Sequence, residues 1–138
     1  MIHYQILESF GGFDDFLLYL AMSGVMLAVF VAIYVRITPY REIALIRENN
    51  MAAAFSLSGA IIGMVIPLAN VVENSVNPID MIIWGFIALA IQLLVFVIAR
   101  IALPHIAEDI PAGKMAPGFF LGAISIAGGV LNAACMSY

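Results

Sequence analysis

A chain of 138 residues that is 64% hydrophobic and 10% charged, with a mean hydropathy of +1.11, cannot fold as an ordinary water-soluble domain, in which about a quarter of residues are charged. Much of its surface must face hydrocarbon. The net charge of −4 excludes a basic nucleic-acid binder, and the single cysteine, Cys135, excludes an intramolecular disulfide or a thiolate metal cluster within one chain.

Residues 1–15 hold Glu8, Asp14 and Asp15 and no Lys or Arg, and Gly11-Gly12 breaks any helix there. The start lacks the basic n-region and cleavage site of a signal peptide, so it is expected to be retained. Residues 16–37 are the first predicted span, closed by Arg36, whose long side chain reaches headgroups. Residues 38–50, TPYREIALIRENN, form the first polar loop. Thr38-Pro39 reads as a helix start. The helix it opens would lie in the interface, with Tyr40, Ile43 and Ile46 on one face and Arg41, Glu42 and Glu48 turned to water.

Residues 51–71 carry no charge over 21 positions. As a helix they would extend ~31 Å, close to the ~30 Å hydrocarbon core of a bilayer. Pro67 should bend this second span near its outer end. Residues 72–80 make a polar turn at Asn77-Pro78, and 81–103 form the third span, with Gln92 near its middle and Arg100 near its end. Residues 104–114 are the second polar loop. Met115–Cys135 is the fourth span, where Gly128-Gly129 is expected to loosen the helix.

All five Lys and Arg residues, Arg36, Arg41, Arg47, Arg100 and Lys114, flank the 1–2 and 3–4 connections. Basic loops stay cytoplasmic, so both termini are predicted periplasmic. The chain also repeats itself. MAAAFSLSGAI from Met51 aligns with MAPGFFLGAIS from Met115, Pro39 precedes one and Pro104 the other, and VFV occurs at 29–31 and 95–97. Each half would cross twice, giving tandem parallel repeats related by an axis along the membrane normal. The expected fold is an all-α membrane protein of four transmembrane helices. It comprises a periplasmic segment 1–15, a first two-helix repeat 16–71 and a second repeat 81–138. Gly59-xxx-Gly63 and Gly118-xxx-Gly122 let helix backbones approach, and close packing is what associates helices in lipid.

No acid or base sits in the middle of a span, which argues against a proton-coupled pump. His3 and His105 fall on opposite predicted sides and cannot share a metal within a chain. No phosphate loop, nucleophile elbow or HExxH occurs. The chain is therefore expected not to be an enzyme and to need no cofactor. Two sets of side chains are left. Arg41, Glu42, Arg47 and Glu48 form the densest charged group, and from this loop Tyr40, Arg41, Glu42 and Arg47 would dock a partner or anionic lipid; the alternative is a solvated helix face. Ser56, Gln92, Ser125 and Asn132 are neutral and membrane-embedded; they would line a pore or bond neighbouring helices.

The run TPYREIALIRENNMAAAFSLSGAIIGMVIPLA, followed by MIIWG, IQLLVF and GGVLNAACMSY, closely resembles the DUF350 family, also called UPF0719, over residues 17–138. The resemblance implies a small bacterial inner-membrane protein with two copies of a two-helix unit, and implies little about activity. Asn49 departs from the Gly expected there. The leading expectation is a structural or regulatory inner-membrane component, homo-oligomeric and most simply dimeric, whose loops at 40–47 and 106–110 dock a cytoplasmic or membrane partner or anionic lipid. The alternative is an oligomeric channel or facilitator for a small solute or ion.

Overall fold

A computed structural model of the protein describes residues 1–136 and is all-helical over them; Ser137 and Tyr138, the end of the predicted second repeat, lie outside the described residues. Seven helices follow one another: α1 (Ile2–Ser9), α2 (Phe13–Ile37), α3 (Glu42–Arg47), α4 (Met51–Asn74), α5 (Pro78–Ala102), α6 (Ile106–Asp109) and α7 (Met115–Cys135). α2, α4, α5 and α7 are each long and apolar enough to cross a membrane. The spans run slightly past the predicted limits at several ends, where polar residues complete the last turns. α1 buries no side chain and is separated from α2 by the Gly11-Gly12 break.

The bundle is organised around α4 and α7, which run parallel and touch backbone to backbone. Gly59 lies against the Gly122 backbone, Gly63 against Ser125, Gly118 against Ala52, and Gly129 against Gly63. A Cβ on Gly122 would stand 2.5 Å from the Phe55 carbonyl oxygen. All four glycines of the two GxxxG pairs therefore lie on one seam inside a single chain. Gly129 joins them. It does not loosen α7, which continues without interruption, because a helix in lipid has no water to take up freed backbone groups. α5 rests on both members of the central pair, and α2 rests on α4 and α5. Here the polar contacts run between helices. Gln92 Nε2 donates to the Ser125 carbonyl at 2.7 Å, Asn132 Nδ2 to the Ala88 carbonyl at 3.2 Å, and Asn70 Nδ2 to the Ala133 carbonyl at 3.0 Å.

The ends of the spans explain how the loops are held. Thr38 ends α2 and does not open α3. The following proline disfavours helical geometry at Thr38, which is extended (φ −71°, ψ 138°) and turns its hydroxyl back to the Val35 carbonyl at 3.0 Å. Asn77 accepts from the Asp80 amide at 2.8 Å, capping α5 with Pro78 in its first turn. Asn49 stands in the left-handed region at φ 67°, where asparagine is the best substitute for glycine. Its counterpart 64 positions later is Gly113, at φ 76°. The bonds around the two recur at the same offset: Asn49 N to Ile46 O and Gly113 N to Ile110 O are both 3.0 Å, and Asn50 N to Leu45 O (2.9 Å) is matched by Lys114 N to Asp109 O (3.0 Å).

Asn50 ties the two loops together. Its Oδ1 accepts from the Ala53 amide at 3.0 Å, capping α4, while its Nδ2 donates to the Ile110 carbonyl at 2.9 Å, 60 residues away. Loss of a cap costs about 0.5–2 kcal/mol, and loss of a second, part-buried bond about 1 kcal/mol more. Asn50→Ala is therefore expected to lower the unfolding free energy in detergent by about 2 kcal/mol. A midpoint unchanged from the parent protein would show that the tie does not bear on stability.

Candidate functional site

The loop end of the bundle, where α3 and α6 lie, holds the one buried carboxyl among the described residues. Glu42 opens α3 and is 0% exposed. The prediction turned it to water with Arg41 and Glu48; instead the helix is rotated so that Glu42 points inward and Ile43, expected on the apolar face, is 45% exposed. The reason lies on another helix. Ser56, inside α4, donates its hydroxyl to Glu42 Oε1 at 2.9 Å, and the Tyr40 hydroxyl lies 3.3 Å from the same Ser56 Oγ. This polar anchor outweighs the weak amphipathic preference of a six-residue helix.

Tyr34 completes the cluster from α2. It is fully buried, and its ring packs edge-on against Phe96 of α5, with centroids 4.8 Å apart, and beside Phe30. Its hydroxyl approaches Ser56 and lies within the field of Glu42. Among the described residues the Tyr34 hydroxyl, Glu42 Oε2 and, elsewhere in the bundle, Gln92 Oε1 are buried without a hydrogen-bond partner. Burial raises the Glu42 carboxyl from its ordinary 4.5 to about 7, against the opposing pull of hydrogen bonds from Ser56 and Tyr40. The Tyr40 phenol is raised too, first by burial and then by the charge of Glu42, with Arg100 opposing. A buried carboxyl among hydroxyls, with a pKa near neutrality, can bind and release a proton.

The sequence-predicted sets are thus redistributed. Of the docking candidates, Tyr40 and Glu42 are buried, while Arg41 and Arg47 are exposed. Docking through the Glu42 side chain is corrected on this ground, since the side chain is wholly buried and its Oε1 accepts from Ser56. Of the embedded polar set, Ser56 belongs to the Glu42 cluster; Gln92 donates to the Ser125 backbone carbonyl of α7; the Ser125 hydroxyl donates to the Leu121 carbonyl of its own helix; Asn132 reaches α5. All four are less than 9% exposed within the single chain. Tyr34 was missed as a polar participant because an aromatic in a long apolar run reads as core, and only its depth opposite Ser56 distinguishes it. Among the described residues no group of three or more His, Cys, Asp and Glu could hold a metal ion.

Comparison with known proteins shows the family. The family described as Domain of Unknown Function (DUF350) matches residues 5–136. The chain is 43% identical over 134 residues to the UPF0719 inner membrane protein YjfL of Escherichia coli strain K12, covering 97% of this chain and 99% of that protein. YjfL of Escherichia coli O157:H7 matches with the same figures. The UPF0719 transmembrane protein YshE of Bacillus subtilis strain 168 is 26% identical over 114 residues, 78% of this chain and 82% of that one. No solved structure matches the chain significantly. Matched over nearly its whole length by the family model and by a relative of 43% identity, the chain belongs to the DUF350 family.

Proposed function

We propose that the protein is an integral component of the bacterial inner membrane with a structural or regulatory role, and that it reads anionic lipid headgroups through its loop end on the cytoplasmic side. The observation that carries this reading is the placement of the basic side chains. Arg36, Arg41, Arg47, Arg100 and Lys114 are all exposed and all belong to the end formed by α3 and α6. Each such side chain near an anionic surface contributes about 1 kcal/mol of attraction. The same asymmetry supports periplasmic termini, and the names of the Escherichia coli relatives support the inner membrane. The recurrence of the Asn49 turn at Gly113 supports two tandem hairpins. Assembly with further copies of the chain is part of this reading, as is a protein partner on the same surface.

Gln92 and Asn132 donate to the backbone of neighbouring helices, which favours this role over a conduit. The test compares phosphatidylglycerol with phosphatidylcholine added to the purified protein in detergent. Phosphatidylglycerol should raise the melting midpoint further than phosphatidylcholine, and Arg41→Gln with Arg47→Gln should remove at least half of that difference. Equal responses to the two lipids in the unaltered protein would refute the reading.

A further inference from the structure

We propose that the oxygens of Glu42, Ser56, Tyr40 and Tyr34 form a binding site for one sodium-sized monovalent cation at the loop end of the bundle. This goes beyond the lipid-reading role and does not depend on it. The starting point is a deficit. Glu42 is wholly buried and its Oε1 accepts from Ser56, yet its Oε2 and the buried Tyr34 hydroxyl have no hydrogen-bond partner among the described residues. A buried polar atom without a partner is costly, and a buried charge without a counter-charge more so. A proton on Oε2 would also remove the charge, and it is the competitor that a bound cation must displace. One bound cation satisfies both orphaned oxygens and neutralises the carboxylate.

No side chain does this already. Arg41 and Arg47 of α3 are exposed, Lys114 pairs with Asp109 at 3.3 Å, and Arg100 of α5 acts on Tyr40. The titratable and charged groups around Glu42 are therefore Tyr34 from α2, Tyr40 from the loop and, through Tyr40, Arg100 from α5; α4 contributes the neutral Ser56. The donor set names the class of ligand. Carboxylate and hydroxyl oxygens suit a hard cation. A single formal charge matches a monovalent ion, whereas calcium takes six to eight oxygens with several carboxylates. An open recess of ≈ 300 Å³, bordered by Thr38, Tyr40, Arg41 and Glu42, adjoins the cluster. Because proton and cation compete for one carboxylate, the cation binds when Glu42 is ionised and is displaced at low pH.

The purified protein is melted in sodium chloride and in choline chloride at equal ionic strength, at pH 8 and at pH 5. At pH 8 sodium should raise the midpoint saturably, by about 5 °C at full occupancy, and at pH 5 the two salts should coincide. Glu42→Gln, which keeps shape and the bond from Ser56, should abolish the sodium response. Tyr34→Phe, which removes one oxygen and leaves the ring packed on Phe30 and Phe96, should weaken it. Sodium NMR of the unaltered protein, with line broadening at pH 8 that vanishes at pH 5, reads the site without any substitution. Equal midpoints in sodium and choline at pH 8, or a full sodium response surviving in Glu42→Gln, would overturn the proposal.

Discussion

Gly122→Leu is expected to abolish the folded bundle. Leucine at this position must fit where even a Cβ would stand 2.5 Å from the Phe55 carbonyl oxygen, and the obstacle is backbone, which has no rotamer to adopt. Overpacking against movable side chains costs about 1–3 kcal/mol; against a helix backbone the only relief is separation of α4 from α7. That separation would loosen the close contact that associates helices in lipid. The same reasoning covers Gly59, which faces the Gly122 backbone. Gly122→Ala should already reduce stability by about 2–3 kcal/mol. Gly24, on the exposed side of α2 with nothing within 4 Å of its added Cβ, supplies the control, and Gly24→Leu should change stability by less than about 0.5 kcal/mol. Monodispersity on size exclusion and the unfolding midpoint in detergent read all three. A well-folded Gly122→Leu chain would show that the seam is not closed in the membrane.

The second large effect is a dependence of stability on pH that a single residue imposes. The Glu42 carboxyl titrates at about 7 in the folded chain, against an ordinary 4.5. Between those values the folded chain holds more protons than the unfolded one, so stability falls as pH rises. The advantage of the neutral acid is complete below 4.5 and gone above about 7. Its size is roughly 3 kcal/mol, at 1.36 kcal/mol per unit. In choline buffers, which offer no small cation, the unaltered protein should lose about that much stability from pH 4.5 to 8. Glu42→Gln should be flat across the window and the more stable of the two above pH 8. Denaturation midpoints at five or six pH values decide it, and an equal slope in Glu42→Gln would assign the dependence to other groups.

What the sequence made legible is what lipid dictates. Uncharged runs of about twenty residues, with all basic residues beside two connections, leave few folds open, and the four spans appear close to where hydropathy puts them. Glu42 was not legible in the same way. EIALIR is under two turns long, too short for its periodicity to choose a face, and the choice is made by Ser56, fourteen residues on in another helix. Gly128-Gly129 misled for a related reason. Glycine is a breaker in water, but between packed helices its missing side chain is the contact itself. Asn49, where glycine was expected, is intelligible only with its φ of 67° in hand.

The seam between α4 and α7 also sets an order of assembly. Gly122 emerges from the ribosome 63 residues after Gly59, which at about 5–20 residues per second is roughly 3–13 seconds. Until then α4 sits in the bilayer with a strip of bare backbone and no partner for it, while α2 and α5 are already made. The last helix to be synthesised is thus the one that closes the centre, and the nascent chain spends that interval as an open half-bundle whose small-residue face is available to α4 of a neighbouring chain. Crowded synthesis is the condition under which such mispairing would be met first.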